Sequence, residues 1–341
     1  MALVRAAILA ASPHNTQPWR FKVSNSAVEL HIDRQRNVGA LDPYLREEFI
    51  GMGCALENLL LTAPPNGYSA SLSLAPGQLT AISPEPQSEL VARVDLVSAE
   101  RAASELYQAI PRRHTNRGPY DLRKPLPPGL VGALNRLPGS DEQVRLFIFT
   151  AEAERQRIVE LSSAANTEIY SDPQVEAASQ RWIRLKSAEV QKFRDGLTID
   201  NFGLPPFTTA LAKALPEAML TRMAARGQMH GYAERMLTAP LIGIIAVRDR
   251  YAREQCLAAG RLWQRAHLWA TARGLAARPA NESVELIDYQ RMLGRPARAL
   301  AQLSEITADP PWQPTFVFLM GHPTLTAHAS PRRSVQQVLN S

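Results

Sequence analysis

Residues 12–19 read Ser-Pro-His-Asn-Thr-Gln-Pro-Trp and follow a short apolar run with helical character. The stretch places a hydroxyl, an imidazole, two carboxamides and an indole in one loop. Because a carboxamide both donates and accepts hydrogen bonds, Asn15 and Gln17 suit a planar heterocycle with a mixed edge. Pro13 and Pro18 restrict the backbone and would hold these polar groups in place. Any two of these residues would also fit an ordinary polar turn. The whole string is more specific and favours a binding loop.

Composition is typical of a soluble globular protein with one large domain or two average ones. The chain has 341 residues, of which 45% are hydrophobic and 21% are charged. Its net charge of +6 comes from arginines and lysines that are spread along the sequence. Nucleic-acid modules instead show basic clusters interleaved with aromatic residues. We therefore expect no nucleic-acid partner and a few arginines that bind a phosphate group.

Cysteine usage and hydropathy limit the other classes of protein. Cys54 and Cys256 are the two cysteines, and the sequence has no Cys-x-x-Cys motif and no cysteine–histidine cluster. This argues against a zinc site and a disulfide scaffold, and it fits a reducing compartment. Residues 1–11 are apolar, but Arg5 interrupts a run that is short for a secretion signal. No stretch approaches the roughly 20 apolar residues that span a bilayer, so we expect a cytoplasmic protein without membrane or metal sites.

Two segments of the chain match at a constant offset without gaps. Residues 42–47 and 249–254 share Asp, Tyr, Arg and Glu at the same spacing. Each runs into an apolar pattern with i, i+3, i+4 spacing, which predicts a helix. An apolar strand candidate precedes each copy, at 28–32 and 241–247. A long-period repeat of this kind favours a fused dimer over a solenoid.

The repeat divides the chain into an N-terminal half, residues 1–100, and a C-terminal half, residues 103–341. Between the copies the pattern predicts a strand at 143–150 and a helix at 152–165. Residues 172–238 then indicate helices broken by glycines and prolines. This insertion is either a helical subdomain with its own small core or a lid over a neighbouring site. Its large apolar side chains are Trp182, Phe202, Phe207, Met219, Met223 and Met229.

A second polar cluster lies at residues 112–117, which read Arg-Arg-His-Thr-Asn-Arg. Arginines with a hydroxyl and an amide between them could clamp a phosphate dianion through charge-assisted hydrogen bonds. A charged helix end would look the same. Near the C-terminus, an apolar run at 315–320 precedes Arg332 and Arg333, for which a solvated basic tail is the alternative.

Together these segments resemble the FMN-dependent nitroreductase superfamily. The N-x-Q-P-W loop is similar to residues 15–19, and the family's R-R-S-x-R start resembles 112–117 with a threonine in place of the serine. The turn at 278–282 resembles the P-x-E-G turn of relatives, although the glycine is absent. The resemblance implies an α+β, nitroreductase-like fold with FMN as cofactor. By the same resemblance the flavin-ring contacts are Ser12, His14, Asn15, Thr16, Gln17, Asn281 and Glu282, and the phosphate contacts are Arg113, Thr115, Arg117, Arg332 and Arg333, with Arg333 preferred over Arg332.

In a dimeric nitroreductase, the loop of one subunit meets the phosphate arginines of the other. Here the chain begins at the helix that carries the loop, and residues 138–143 offer no second N-x-Q-P-W. We therefore expect one complete FMN site per chain, in a monomer that forms an intramolecular pseudo-dimer. This arrangement resembles the internally duplicated Acg family of mycobacteria, and the resemblance spans nearly the whole chain.

The resemblance implies an oxidoreductase that transfers electrons from NAD(P)H through FMN to a nitroaromatic, a quinone or a similar small aromatic acceptor. No side chain is assigned as a general acid, and the sequence has no Walker A or G-x-G-x-x-G motif for a resident nucleotide. The alternative is a flavin-sequestering or storage protein with an occluded FMN, because a closed insertion at 172–238 would block the second ligand.

Overall fold

Two four-stranded antiparallel sheets and the helices around them dominate the computed structural model, which describes residues 1–82, 88–215, 219–220 and 231–340. This mixture confirms the predicted α+β class. The strands are β1 (Trp19–Val23), β2 (Ala27–Asp33), β3 (Tyr68–Leu74), β4 (Ser88–Ser98), β5 (Val144–Phe149), β6 (Ile183–Arg184), β7 (Leu197–Thr198), β8 (Leu241–Val247), β9 (Ala276–Pro279) and β10 (Gln313–Gly321). The helices are α1 (Ala2–Ala7), α2 (Arg46–Thr62), α3 (Glu105–Ala109), α4 (Leu130–Asn135), α5 (Glu152–Tyr170), α6 (Pro173–Gln180), α7 (Ser187–Phe193), α8 (Pro206–Lys213), α9 (Tyr232–Leu237), α10 (Arg253–Ala272), α11 (Glu282–Met292), α12 (Arg298–Thr307) and α13 (Val335–Val338).

The two sheets have the same connectivity. The first has the strand order β1-β2-β4-β3, with α2 between β2 and β3 in the chain. The second has the order β5-β8-β10-β9, with α10 between β8 and β9. The strands predicted at 28–32, 143–150 and 241–247 are confirmed as β2, β5 and β8. Every residue of β8 is buried, because this central strand is covered on both faces.

The long helices α2 and α10 cross at a pair of glycines. A Cβ atom built on Gly53 would lie on the carbonyl oxygen of Leu257, and one built on Gly260 would lie on that of Ile50. Each of these Cβ positions is also 3.0 Å from the Cα of the opposite glycine. Only glycine at both positions permits this close approach of the two backbones. Buried side chains surround both helices, so the crossing lies in the centre of the molecule.

The insertion folds as short helices, α6 to α9, joined by irregular segments. Within it the parallel pair β6–β7 was not predicted, because two-residue strands show no alternation in the sequence. Ile199, Ala212 and Leu220 form a small apolar cluster, whereas Trp182 packs against the main body. Residues 216–218 and 221–230, with Met223 and Met229 among them, lie outside the described residues.

Two backbone contacts bring distant segments to the same place. Thr115 forms a bridge with Ala277, so the segment 113–117 lies beside β9. Leu339 forms a bridge with Phe21, and Asn340 N donates a hydrogen bond of 2.8 Å to Phe21 O. The C-terminal tail therefore runs back along β1, next to the loop at residues 12–18. None of the described helices is both long enough and apolar enough to cross a bilayer.

Candidate functional site

A cavity of about 450 Å³ lies where these segments converge, within the roughly 300–1,000 Å³ usual for ligand pockets. Its walls come from the loop after α1, from α2, from the segment 113–117, from the insertion, from the β9–α11 connection and from the C-terminal tail. Most of the residues that the sequence nominated line it: Ser12, His14, Asn15, Arg113, Thr115, Arg117, Asn281, Glu282 and Arg332. Thr16, Gln17 and Arg333 are not among its lining residues.

The loop at residues 12–18 is held in an unusual backbone conformation. His14, Asn15 and Gln17 have φ angles of 43°, 58° and 54°, in the left-handed region that few residues other than glycine adopt. The Ser12 hydroxyl accepts a hydrogen bond of 3.0 Å from Gln17 N, which closes the turn. Such backbone strain persists where surrounding contacts enforce it, and it is frequent at functional sites.

Gln17 and Arg333 tie this loop to the C-terminal tail and do not face the cavity. The Gln17 Oε1 accepts from Arg333 N at 2.8 Å, and its Nε2 donates to Arg194 O at 2.8 Å. The Arg333 guanidinium donates to Gln17 O at 3.2 Å. The side chain of Thr16 is fully buried, and its hydroxyl has no hydrogen-bond partner in the part of the chain that the structure describes. The structure thus places Thr16, Gln17 and Arg333 outside the cavity lining, whereas Arg332 lines it.

Asn15 faces the cavity, but protein groups already occupy its carboxamide. The Nδ2 donates to Gly196 O at 3.0 Å and to Pro331 O at 2.9 Å, and the Oδ1 accepts from Arg332 Nη1 at 2.8 Å. His14 Nε2 lies 2.9 Å from Ser179 Oγ. Burial and the nearby Arg117 lower the pKa of His14 to about 4, so its imidazole is neutral at pH 7.

Arg113, Arg117, Arg278 and Arg332 form what we call the arginine end of the cavity. None of these four has a carboxylate partner within salt-bridge distance in the described part of the chain. Arg332 donates instead to the neutral carbonyls of Ala10 and Pro331, at 3.1 and 3.0 Å. Burial, followed by repulsion from Arg113, lowers the pKa of Arg332 to about 9. Desolvation also lowers the pKa of Arg113 to about 10.

Several N–H groups at the arginine end have no acceptor among the described residues. They are the Nε atoms of Arg113, Arg332 and Arg278 and the Nη2 of Arg278. Buried donors are nearly always paired in native proteins, so a cluster of unpaired guanidinium donors favours an anionic ligand. Arg278 was given no role at the sequence level, although it is the first residue of the turn at 278–282 that was singled out.

His267 positions one of these guanidinium groups. Its Nε2 lies 3.2 Å from His114 O and its Nδ1 lies 3.3 Å from Arg113 Nη1. These partners assign the proton to Nε2 and make Nδ1 the acceptor. Burial and the Arg113 charge lower the pKa of His267 well below its usual value, so the ring is neutral. His267 is buried among the apolar side chains of α10, so helical periodicity alone gives no sign of this polar role.

Glu47, Glu282 and Glu285 line the same cavity and form what we call the acidic end. The Tyr232 hydroxyl donates a hydrogen bond to Glu282. Desolvation raises the pKa of Glu47 to about 7, although the adjacent Arg46 opposes this shift. Burial, together with the charges of Glu47 and Glu282, raises the pKa of Glu285 well above its usual range. The cavity therefore has a cationic end and an end of carboxyl groups that resist ionisation.

The insertion supplies an apolar wall and several tethers. Its lining residues are Leu185, Leu197, Ile199, Phe202, Leu204, Ala212 and Leu220. Backbone oxygens of Arg194 and Gly196 accept from the loop amides, as given above. Asp195 is 3% exposed and pairs with Arg36 on one side and with Arg184 Nε, at 3.0 Å, on the other. The insertion thus lies over the cavity and is fastened to the loop at 12–18.

No group of three or more His, Cys, Asp or Glu side chains suited to a metal ion occurs among the residues that the structure describes.

Comparisons with known proteins give sequence relatives from one organism. The chain is 32% identical over 129 residues, 38% of its length, to a Mycobacterium tuberculosis protein named "Putative NAD(P)H nitroreductase", of which the match covers 36%. It is 27% identical over 193 residues to an uncharacterized protein of the same organism, covering 52% of this chain and 51% of that protein. A third match, "Putative NAD(P)H nitroreductase acg", is 33% identical over 73 residues, 21% of this chain and 22% of the relative. The matches thus span from about a fifth to about half of the length of these curated relatives.

Solved structures give distant matches. The FMN-dependent nitroreductase NfnB from Mycobacterium smegmatis, in complex with NADPH, aligns with 70% of this chain and 97% of its own, at 15% identity and a TM-score of 0.44. A nitroreductase with bound FMN from Desulfitobacterium hafniense aligns with 70% of this chain and 99% of its own, at 14% identity and a TM-score of 0.40. No family model matches the chain. Parts of the chain are thus similar in sequence to proteins named as nitroreductases.

Proposed function

We propose that this protein is an FMN-dependent oxidoreductase that transfers electrons from NAD(P)H to a nitroaromatic, a quinone or a similar small aromatic acceptor. The observation that carries the proposal is the arginine end of the cavity, with its buried guanidinium groups and unpaired donors. Unpaired buried charges are costly, and the phosphate of a bound nucleotide would supply both the counter-charge and the acceptors. The nitroreductase names of the sequence relatives support the same conclusion.

The residues present fit FMN at both parts of that molecule. Arg113 and Arg332, with Thr115 and Arg117, would hold the phosphate. The apolar wall that includes Trp263 and Ile50 would receive the ring system. When bound, FMN supplies hydride transfer, and the protein supplies binding, orientation and exclusion of water. With a nitro compound as acceptor the overall change is ArNO₂ + NAD(P)H + H⁺ → ArNO + NAD(P)⁺ + H₂O.

We also propose that residues 1–100 and 103–341 are two halves of a fused pseudo-dimer with one FMN site. The shared sheet connectivity and the reciprocal contact of Gly53 with Gly260 support this division. At the constant offset, Cys54 of the cavity corresponds to Arg261, whose Nε donates to Glu57 at 2.9 Å. A salt bridge at the corresponding position supports the loss of the second site.

A storage role is the second candidate, and the tethers of the insertion favour it. Because the insertion is fastened to the loop through Ser179, Arg194 and Gly196, a bound flavin would be covered by it. A ligand that must bind over the flavin would then be excluded unless these contacts open.

The visible spectrum of the purified protein, followed by anaerobic addition of NADPH or NADH, tests both candidates. An oxidoreductase is yellow as purified, is bleached by the nicotinamide, and recovers its colour on addition of a nitroaromatic or a quinone. A yellow protein that resists bleaching contradicts the oxidoreductase and supports storage. A colourless protein that binds no added FMN contradicts both.

Asp195→Ala tests the role of the tethers. Removing one partner of a buried ion pair costs roughly 3–5 kcal/mol, so we expect this variant to be bleached about tenfold faster than the wild type. Asp200→Ala is the matched control, because Asp200 pairs with Lys213 at 2.7 Å on a more exposed surface. Equal bleaching rates for Asp195→Ala and the wild type would show that the insertion does not limit access.

A further inference from the structure

We propose that the acidic end of the cavity binds the electron acceptor, and that this acceptor is a planar organic cation carrying an amidine or a protonated amine. The inference rests on the proposed function, because it names the class of substrate for the same cavity. It assigns Glu285 and Asn166, which the sequence analysis did not single out, to recognition of the cationic group.

The acidic end joins carboxylates from two elements of the fold. Glu47 comes from α2, and Glu282 and Glu285 lie one turn apart at the start of α11, so they share a helix face. Glu47 and Glu285 are each 8% exposed. Glu47 has Arg46 Nη2 at 3.3 Å, but the main partner of Arg46 is Asp288, at 2.6 Å. Ionisation of these buried carboxyl groups is unfavourable, and a further positive charge beside them would favour it.

Glu285 has no partner of its own. No hydrogen bond or salt bridge involves its carboxylate in the part of the chain that the structure describes. Its burial and the neighbouring Glu47 raise its pKa, which is the cost that a bound cation would remove.

Asn166 gives an independent indication of a ligand. This carboxamide, on α5, is 4% exposed, lines the cavity, and has no side-chain hydrogen bond among the described residues. Buried amides are almost always paired, so an unpaired amide on a cavity wall indicates a missing polar partner. Its carbonyl oxygen can accept from an N–H of the same cationic group that Glu285 would bind.

The surroundings favour an organic cation over a metal ion. Tyr170 lies one turn after Asn166 on α5 and lines the cavity. Its side chain offers an aromatic surface to a planar group and adds no ligand set for a metal. An amidine or a protonated amine on an aromatic ring combines a flat apolar body with the donors that Glu285 and Asn166 lack.

The test is calorimetric titration of the purified full-length protein, with its bound flavin, against three ligands of nearly equal shape: benzamidine, benzamide and benzoate. We expect benzamidine to bind at least about tenfold more tightly than neutral benzamide, as is usual for a charged group that pairs with a buried carboxylate. Equal affinities for benzamidine and benzamide, or no benzamidine binding, would overturn the proposal. This comparison needs no variant, so it does not depend on the folding of a mutant.

Glu285→Gln locates the binding site within the protein. The substitution keeps the shape and removes the charge, so we expect it to weaken benzamidine binding by about tenfold or more and to leave benzamide binding unchanged. Glu305→Gln, on an exposed position of α12, is the control and should bind as the wild type does. An unchanged benzamidine affinity in Glu285→Gln would contradict the assignment.

A second assay separates this proposal from the proposed function. With NADPH as donor, kcat/KM for 4-nitrobenzamidine should exceed that for 4-nitrobenzamide by about tenfold. Bleaching by NADPH with equal kcat/KM values would retain the oxidoreductase and refute the cationic acceptor. Preferential benzamidine binding without any bleaching would refute the oxidoreductase and retain the cation site.

Discussion

Arg113 and Arg332 are unusual because, within the described part of the chain, only neutral groups accept their hydrogen bonds. Backbone carbonyls of Leu9 and Ala10 and the ring of His267 accept their hydrogen bonds. Each guanidinium still has an unpaired Nε, and the two charges repel each other. This arrangement costs free energy in the unliganded protein, and a bound anion would offset that cost. Arg113 and Arg332 would therefore contribute to the affinity for an anionic ligand without stabilising the unliganded fold.

The double variant Arg113→Ala, Arg332→Ala should lose FMN while the fold persists. Charge-assisted hydrogen bonds contribute roughly 1.5–3 kcal/mol each, so we expect the affinity for FMN to fall by about a hundredfold or more. Fluorescence titration with FMN measures the loss, and circular dichroism checks the fold. Arg112→Ala is the matched control, since Arg112 is exposed and adjacent. A double variant that retains stoichiometric flavin would show that the phosphate binds elsewhere.

Glu48 should make stability depend on pH. Its carboxylate is fully buried, neither oxygen has a partner among residues 1–82, 88–215, 219–220 and 231–340, and burial raises its pKa well above the usual value. Above a pH of about 4.5, where the unfolded chain releases this proton, the folded state retains it, so stability falls as pH rises. Relative to Glu48→Gln, the wild type should lose up to about 1.4 kcal/mol of unfolding free energy per pH unit.

Urea unfolding of both proteins at about pH 5 and about pH 7 measures this difference. The exposed substitution Glu160→Gln provides the control, for which the difference from the wild type should not change with pH. Parallel pH profiles for the wild type and Glu48→Gln would show that Glu48 is already ionised in the folded state.

Among the elements, the α2–α10 crossing is the most demanding contact. The helices approach so closely that a single methyl group at Gly53 or Gly260 would overlap a backbone carbonyl oxygen. Backbone cannot move aside as a flexible side chain can, so this crossing tolerates little variation.

Gly53→Ala should therefore destabilise the protein by about 3 kcal/mol or more, through overpacking at a rigid contact. Gly132→Ala in α4 is the counterpart, because its Cβ would meet only Arg136 Nη1, at 3.6 Å. That substitution should stabilise by roughly 0.5–1 kcal/mol, since alanine has the higher helix propensity. Chemical denaturation of the two variants and the wild type gives the comparison, and similar effects at both glycines would be contrary to this account.

How far the sequence predicted these elements depends on their length. The helical pattern at 49–63 and the strands at 28–32 and 241–247 could be predicted because many residues share one period.

At the site, the loop and the arginines were found by their chemistry, yet Gln17 and Arg333 do not line the cavity. Which side chain of a loop points inward depends on backbone angles, and the left-handed conformations at His14, Asn15 and Gln17 break any periodic rule. Arg278, Glu285 and Asn166 were missed because their importance lies in lacking partners, which only the fold reveals.

For the whole molecule, the site draws on both ends of the chain. The loop near the N-terminus, the segment 113–117, the β9–α11 connection and the C-terminal tail all reach one cavity. Neither proposed half contains all of these parts, which supports one site for each complete chain.

Flavin content tests that conclusion. We expect FMN and protein in a ratio near one in purified or reconstituted material, measured from flavin absorbance after denaturation against protein by amino-acid analysis. We also expect sedimentation as a monomer, because the partner half is covalently attached. A flavin-to-protein ratio near two would mean that the corresponding position around Arg261 is a working site.

The ion pairs of Glu57 would make the proposed fusion difficult to reverse in evolution. In a dimer of identical chains, every substitution enters both sides of the interface at once, so a charge gained on one side is gained on the other. In a fused chain each side changes alone, and here Arg261 and Arg265 both pair with Glu57, at 2.9 and 2.7 Å, where a symmetric interface would duplicate the acid as well. A substitution of Arg261 that restored a cavity would remove one of the two ion-pair partners of Glu57. The burial of the Glu57 charge would then be less well compensated. If the chain arose by fusion as proposed, this asymmetry would mean that a return to two equivalent sites requires several coordinated changes.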